Sequence, residues 1–280
     1  MLSNSIFLYC LKAKWGSWSL VCLCISILSG ILVGLQYDPA APYYTTTAID
    51  LLIPYGQYFR SLHFYSSQFF FLLTIIHLLA AFPSTDSYTS VQWFRLVFAL
   101  PVMLLLLFTG YVLRADSTGT SAGFIAESVL LAVPLVGPLL NNLLFAMSEH
   151  GMQRVYIAHV ITLDLIWLIL AWEHLRRYRI RFTDNLAITG LVLLFSVIIA
   201  APIDPEKLGV TYISGPWFFL GLQELLRYLP PILAGFLFPI AFILALLMAQ
   251  KRSRFFIPVV LFLCIWLLSY LALTIIALLR

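Results

Sequence analysis

Three of the five histidines lie within long apolar runs of the sequence and a fourth, His174, lies two residues beyond one, where an ionisable side chain is costly and usually functional. His63 and His77 are 14 residues apart, and His159 and His174 are 15 residues apart. In two α-helices each pair lies on one face, with a rise of roughly 21–22 Å between its members. Facing imidazoles on two such helices suit six-coordinate haem iron. The spacing therefore predicts two bis-histidine haems, an outer one on His63 and His159 and an inner one on His77 and His174.

Two glycines and an arginine match this arrangement. Gly16 and Gly30 are also 14 residues apart, in the first apolar run. A residue without a side chain lets a flat macrocycle approach the backbone, although close packing of two helices is an alternative reason for small residues. Arg60 precedes His63 by three residues and is expected to bind a propionate at the outer edge of a haem. His150 has no partner at this spacing and is interpreted as a histidine at the membrane interface.

The composition requires a membrane protein. Apolar residues make up 62% of the 280 residues and charged residues 10%, and the mean hydropathy is +1.00. In soluble domains, apolar residues make up roughly 45–50% and charged residues about 25%. A soluble enzyme and a nucleic-acid-binding module are therefore excluded. The four cysteines form no CxxC or CxxCH motif, so the chain has no signature for covalent c-type haem or an iron–sulfur cluster.

Seven apolar runs are predicted to span the membrane, since a spanning helix needs roughly 20 apolar residues. They are residues 15–37, 61–85, 96–113, 155–172, 185–203, 228–250 and 255–279. An eighth run, 128–148, contains Pro134 and Pro138 and is predicted to form a pair of short helices at the outer face. The fold class is therefore all-α, a polytopic membrane protein with a four-helix di-haem bundle followed by three C-terminal helices.

The positive charges orient this fold. With seven spans, ten Lys and Arg residues fall on the inner side and six on the outer side. The dense cluster from Arg176 to Arg181 lies inside, as the positive-inside rule expects. The N-terminus is predicted to be cytoplasmic, with residues 1–14 as a short amphipathic segment before the first span.

Several motifs, in this order and at these spacings, resemble the cytochrome b subunit of quinol:cytochrome c oxidoreductases of the bc and b6f type. They include Tyr37-Asp38-Pro39, Arg60-Ser61-Leu62-His63, Thr109-Gly110-Tyr111-Val112-Leu113, Pro134-Leu135-Val136-Gly137 and Arg154-Val155-Tyr156. Residues 1–181 resemble the N-terminal di-haem bundle, and residues 182–280 resemble the b6f partner subunit fused to it. The 15-residue histidine spacing resembles the b6 variety rather than the mitochondrial one. The resemblance adds Gly110 to the haem-binding residues.

The resemblance implies a function and a set of partners. Quinol would be oxidised at the outer face, electrons would cross the membrane through the two b haems, and protons would be translocated. Expected partners are the quinone pool, a Rieske-type iron–sulfur protein or c-type cytochromes, including multihaem ones, membrane lipids and a second copy of the chain. No nucleic-acid partner is expected. The compact, fused chain points to a prokaryotic cytoplasmic membrane.

The sequence departs from the family at the quinol site. Gly215-Pro216-Trp217-Phe218 stands where the family has Pro-Glu-Trp-Tyr, so the glutamate that would take the quinol proton is missing. Pro216 and Trp217 are expected at this site. Glu127 or Glu224 is expected to accept the proton instead, and a solvated interfacial carboxylate is the alternative for each.

Other departures concern the haem surroundings. Arg114 and Ala115 stand where the family has Pro-Trp, and Ala80 replaces an arginine near His77. Arg95 or the Arg176–Arg181 cluster is therefore expected to hold the propionates of the inner haem. Asp164, five residues after His159, is interpreted either as part of a proton route or a tuner of the outer haem, or as a local hydrogen-bonding residue.

Two other functions remain open on the sequence alone. One is a simpler electron conduit with two haems and one quinone site, which does not send the two electrons of quinol along separate routes. The other is a transporter or assembly subunit built on a cytochrome-like scaffold, since a fold does not determine a function.

Overall fold

The computed structural model describes residues 14–149, 151–204, 213–250 and 252–280, and within these ranges the chain forms helices and no strand. The helices, in chain order, are α1 (Trp15–Gly34), α2 (Pro42–Leu52), α3 (Gly56–Ala81), α4 (Ser90–Val112), α5 (Ser117–Leu131), α6 (Gly137–Leu144), α7 (Gly151–Leu175), α8 (Phe182–Ile198), α9 (Leu220–Leu225), α10 (Ile232–Met248) and α11 (Phe256–Leu278). The segment predicted at residues 1–13 and the interface histidine His150 lie outside the described residues.

Five of the seven predicted spans are helices long and apolar enough to cross a membrane. They are α1, α3 with its following 3₁₀ turn to Ser87, α4, α7 and α11. The other two, α8 and α10, are shorter apolar helices. Prolines account for the shortening, because Pro202 lies beyond the end of α8, and Pro230 and Pro231 precede α10.

The run 128–148 is interrupted, as its prolines predict. Helix α5 ends at Leu131 and α6 begins at Gly137. The turn between them includes Leu135 in the left-handed region, with φ of 66°. A Cβ on Gly137 would lie 2.1 Å from the Leu130 carbonyl oxygen, so only glycine fits at the start of α6. The result is two short helices instead of a span.

The chain divides into two compact units that do not follow chain order. The first contains residues up to Thr89 together with Ala171–Ile203. In it, α1 packs along α3, and the hydroxyl groups of Ser19 and Thr74 are 2.6 Å apart between these helices. The segment after α8 is attached to α3, because the Ala201 amide donates to Ser61 Oγ over 2.9 Å.

The second unit contains Ser90–Leu170 and Asp204–Arg280. Here α4 is joined to α10 by the Trp93 indole, which lies 3.2 and 3.1 Å from the carbonyl oxygens of Leu246 and Leu247. Helix α9 packs against α11, and the Tyr270 hydroxyl donates to the Phe218 carbonyl over 2.7 Å. Each unit thus combines helices from both predicted sequence regions, 1–181 and 182–280.

Candidate functional site

The histidines of the predicted inner pair lie together in the first unit. The ring centroids of His77 and His174 are 6.0 Å apart, with the ring planes inclined at 48°. A separation of about 6 Å allows two imidazoles to share one metal ion through bonds of about 2 Å. The rings of Tyr88 and Tyr178 flank His174, with centroids 6.2 and 5.2 Å away. The pair therefore lies among aromatic rings.

Each histidine of α3 faces a glycine of α1. A Cβ on Gly16 would lie 3.0 Å from His77 Cε1, and a Cβ on Gly30 would lie 2.8 Å from both Cε1 and Nδ1 of His63. Side-chain atoms do not pack this closely without moving. The two glycines thus make room for the two imidazoles themselves. Their predicted role of admitting a flat macrocycle stays a prediction.

His63 is oriented by α1. Its Nδ1 lies 2.8 Å from the Ser26 carbonyl oxygen and 3.4 Å from Ser26 Oγ. A carbonyl only accepts, so Nδ1 carries the proton and Nε2 is the nitrogen that would meet iron. Such a hydrogen bond fixes both the tautomer and the ring orientation of a metal ligand.

His159 is oriented in the same way within the second unit. Its Nδ1 lies 2.9 Å from Thr109 Oγ1, and a Cβ on Gly110 would lie 3.0 Å from its Cε1. The Thr109 hydroxyl is 2.8 Å from the Leu105 carbonyl, to which it donates, so it accepts from Nδ1. Gly110 thus faces His159 as Gly30 faces His63. His63 and His159 belong to different units, and their pairing as the outer ligands stays a prediction.

A π-helical segment, Ala158–Leu163, interrupts α7 and contains His159. The regular rotation assumed from the sequence does not hold here, because a π-turn contains one residue more than an α-turn. The 15 residues from His159 to His174 therefore cover the rotation of about 14 residues of regular helix. This is the spacing of His63 and His77. Asp164 directly follows the segment and is exposed on this chain.

Arg60 has a carboxylate partner that the sequence did not reveal. Its Nε and Nη2 donate to the two carboxylate oxygens of Asp50 over 2.6 and 2.5 Å, and Nη2 also donates to the Ala201 carbonyl over 2.6 Å. Arg60 is buried and joins α3 to α2 and to the segment after α8. Its predicted role with a propionate stays a prediction. Arg95 is half-buried near the start of α4, in the second unit.

The second unit contains a cleft of about 340 Å³, open to solvent. One wall is the face of α5 that carries Thr118 and Ser121. The opposite wall is the segment from Ile213 to Gln223, which includes Pro216. An apolar cleft with a few polar groups on its walls is typical of a small-molecule site.

Gln223 shapes this cleft, and the sequence did not indicate it. Its side-chain amide donates to the Ile213 carbonyl over 2.6 Å and accepts from the Gly215 amide over 2.8 Å. It thereby fixes the loop that contains Pro216. No sequence motif signals this role, because the contact depends on how the loop folds back onto α9.

Of the four residues predicted for the quinol site, Pro216 is the one that lines the cleft. Trp217 is 49% exposed. Glu127 is buried and accepts hydrogen bonds from Asn141 Nδ2 and Ser148 Oγ, each over 3.0 Å. Its carboxylate thus joins α5 to α6 and to the turn that follows α6.

Glu224 is buried in an ionic cluster. It is 1% exposed, and its Oε1 lies 3.1 Å from Arg280 Nη2 and accepts from the Tyr228 hydroxyl over 2.7 Å. The hydrogen bond to Glu224 raises the pKa of Tyr228. The second oxygen, Oε2, accepts no hydrogen bond and lies 4.0 Å from Arg227 Nε. The acid is therefore stabilised mainly by Arg280 and Tyr228.

The described residues fit a haem. Imidazoles in apolar helices would provide the ligand atoms, glycines of neighbouring helices make room for these rings, and hydrogen bonds at Nδ1 of His63 and His159 leave Nε2 available for a metal. An all-helical membrane protein with such histidines has the features of a membrane-embedded haem protein of the electron-transfer type. The chain belongs to the Cytochrome b/b6/petB family, whose model matches residues 3–181. It is thus a multi-pass membrane cytochrome b that binds haem and transfers electrons.

Individual relatives are similar at low identity. Cytochrome b6 of Heliomicrobium gestii is 26% identical over 175 residues, covering 59% of this chain and 81% of the relative. Cytochrome b of Bugula neritina is 26% identical over 280 positions, covering 85% of this chain and 76% of the relative. The fold is similar to a chain of a solved "Hyperthermophilic respiratory Complex III", with a TM-score of 0.64 and 22% identity, covering 94% of this chain and 82% of that one.

Proposed function

We propose that this chain is the di-haem cytochrome b subunit of a membrane quinol oxidoreductase. The observation that carries the proposal is the pairing of α1 with α3, in which Gly16 faces His77 and Gly30 faces His63. Two glycine–histidine contacts 14 residues apart support two haem levels on one helix pair. The outer haem would be held by His63 and His159 and the inner haem by His77 and His174.

Bound haem would supply reversible one-electron transfer between ferric and ferrous iron. The chain's own residues hold the axial imidazoles in place. Ser26 and Thr109 accept the Nδ1 protons of His63 and His159, which raises the basicity of the coordinating nitrogens and favours ferric iron. Gly110 leaves space beside His159.

The cleft between α5 and the segment 213–223 is the candidate site for quinol. Its apolar walls suit the ring, and the hydroxyl groups of Thr118 and Ser121 can bond the ring oxygens. The positive-inside distribution supports a position of this cleft on the outer face, with the N-terminus cytoplasmic. Because the chain has no motif for an iron–sulfur cluster or c-type haem, a partner subunit would carry that acceptor. We further propose that two copies of the chain form a homodimer within the complex, in a prokaryotic cytoplasmic membrane.

The deciding experiment is haem quantitation on the purified complex. Pyridine haemochrome analysis should give two b haems per chain, and a redox titration should resolve two midpoint potentials. The same preparation should reduce an outer acceptor with quinol as the electron donor. One haem or none would overturn the two-level arrangement, and two haems without quinol oxidation would overturn the enzymatic part.

A second candidate is an electron conduit with two haems and a single quinone site. The observation that favours it is that Pro216 lines the cleft while the carboxylates of Glu127 and Glu224 are bonded elsewhere. Replacing both acids by glutamine tests whether either one takes the quinol proton. Loss of quinol oxidation with both haems retained supports the oxidoreductase with one of these acids as proton acceptor. Unchanged quinol oxidation excludes both acids from that role.

A further inference from the structure

A hydroxyl group on the wall of the cleft is bonded to two carboxylates. Thr118 lines the cleft, and its Oγ1 lies 2.9 Å from Asp204 Oδ2 and 3.0 Å from Asp116 Oδ1. The other polar side chains described on the cleft wall bond to the backbone, since Ser121 donates to the Ser117 carbonyl and Gln223 holds its own loop. Thr118 therefore connects the cleft to acidic groups.

The Thr118 hydroxyl is shared between two carboxylates that one guanidinium also contacts. Arg114 is ion-paired with Asp116, and its Nη2 lies 3.5 Å from Asp204 Oδ2. The single proton of the Thr118 hydroxyl can be donated to one carboxylate at a time. This proton can therefore pass to Asp204.

The two carboxylates differ in access to water. The side chain of Asp116 is fully buried, and its oxygens accept from the amides of Gly119 and Asp204, over 2.8 and 2.9 Å, as well as from Arg114. Asp116 therefore caps α5 and anchors the cluster. The side chain of Asp204 is 31% exposed. Asp204 is the acid that can release a proton to solvent.

Local backbone geometry builds the cluster. Ala115 has φ of 55°, in the left-handed region, which turns the chain between α4 and α5 and lets Arg114 fold back onto Asp116. The Arg114 guanidinium also lies 4.7 Å from the centre of the Tyr111 ring. Among the residues that the structure describes, the charged and titratable groups bonded around Thr118 are Arg114, Asp116, Asp204 and Tyr111.

We propose that Thr118 and Asp204 form the route by which one quinol proton leaves the cleft. Thr118 Oγ1 accepts a proton from a quinol hydroxyl while its own proton passes to Asp204 Oδ2, and Asp204 then releases that proton to solvent. One O–H bond of quinol breaks, and the threonine is unchanged at the end. The inference rests on the proposed function. In that function, the electrons of quinol pass to one-electron acceptors, namely the b haems and an iron–sulfur or c-type haem centre of a partner subunit. The route gives the chain a proton acceptor in place of the glutamate replaced by Pro216.

The test compares four variants of the purified complex in quinol oxidation across pH. Thr118→Val and Asp204→Asn should lower kcat at least about tenfold, with little change in KM, because a proton-transfer group is lost while the cleft keeps its shape. The pH profile of kcat in Asp204→Asn should differ from that of the wild-type complex, because the carboxylate that accepts the proton is gone. Thr118→Ser should retain the wild-type rate and pH profile. Ser128→Ala, which removes a hydroxyl group of the same helix outside the cleft wall, is the matched control and should retain both.

Haem content and midpoint potentials, measured on each variant, establish assembly independently of activity. An unchanged kcat and pH profile in Thr118→Val would overturn the route. If Asp204→Asn does not assemble, the comparison of Thr118→Val with Thr118→Ser decides. A wild-type complex with two haems that oxidises no quinol would overturn the proposed function, and the route with it.

Discussion

Gly30 of α1 lies directly against the imidazole of His63 on α3, so closely that a Cβ would be 2.8 Å from both Cε1 and Nδ1. The same ring is held by the Ser26 carbonyl, one turn earlier on α1. One helix thus fixes the ring by a hydrogen bond and leaves space for it by omitting a side chain. The position and the freedom of this imidazole are set by α1.

Adding one carbon atom at position 30 should therefore remove a haem. In Gly30→Ala the His63 ring must shift away from its Ser26 partner, and the ligand geometry is lost. We expect haemochrome analysis to give about one haem per chain in place of two. Gly190→Ala is the matched control, since nothing lies within 4 Å of a Cβ there, and should keep both haems. A Gly30→Ala variant with two haems at unaltered potentials would contradict this prediction.

Removing either histidine of the inner pair should remove one haem, the inner one. His77 and His174 lie 6.0 Å apart between ring centroids, and a six-coordinate iron needs both. His77→Leu and His174→Leu should each lose the same component of the redox titration, and the double variant should lose no more than either alone. Loss of different components in the two variants would show that the two histidines serve different haems.

Thr109→Val should raise the midpoint potential of the haem that His159 ligates. The Thr109 hydroxyl accepts the Nδ1 proton of His159 over 2.9 Å, and its loss lowers the basicity of the ligand and destabilises ferric iron. A hydrogen bond worth about 1 kcal/mol corresponds to a rise on the order of 40 mV. Thr109→Ser, which keeps the hydroxyl group, should keep the potential. A fall in the potential of Thr109→Val would be inconsistent with this hydrogen bond.

Asp50→Asn should destabilise the first unit. The Arg60 guanidinium is bonded to both oxygens of Asp50, and both side chains are nearly buried, at 9% and 11% exposure. Breaking such a pair leaves an uncompensated charge and costs about 3 kcal/mol in free energy of unfolding. Thermal unfolding in detergent, followed by circular dichroism, measures the change. Asp184→Asn, at an exposed position in the same unit, should change stability by less than about 0.5 kcal/mol.

Arg280→Ala should destabilise the second unit, and Glu224→Gln should offset the effect. Glu224 is 1% exposed and loses its nearest cation when Arg280 is truncated. The Arg280 side chain is 38% exposed, so solvent screens the pair and we expect a cost of about 1 kcal/mol. A double-mutant cycle on thermal unfolding isolates the coupling. Additive effects of the two changes would show that the pair contributes nothing.

The sequence predicts what depends on local pattern. The interruption between α5 and α6 follows from Pro134 and Pro138, since proline ends a helix by local geometry. The placement of His77 with His174 was predicted from spacing and topology together. The first prediction rests on local helix geometry, and the second on helical spacing together with the distribution of positive charge along the chain.

What the sequence could not predict depends on contacts between distant residues or on irregular backbone. Thr118 and Asp204 are 86 residues apart in the chain. Asp50 became the partner of Arg60 because α2 folds back onto α3, and nothing in either segment specifies that pairing. The π-helical segment around His159 has an ordinary apolar sequence, and its irregular turn reflects its tertiary surroundings.

The π-helical segment also has an evolutionary consequence. The segment Ala158–Leu163 contains one residue more than a regular α-helix would have over the same rotation. Deletion of a single codon could remove that residue. If the deleted residue lies after His159, the turn becomes regular and the spacing to His174 falls from 15 to 14 residues. The two imidazoles would then keep nearly the same angular relation along α7. Length variation in this helix need not be read as a change of cofactor.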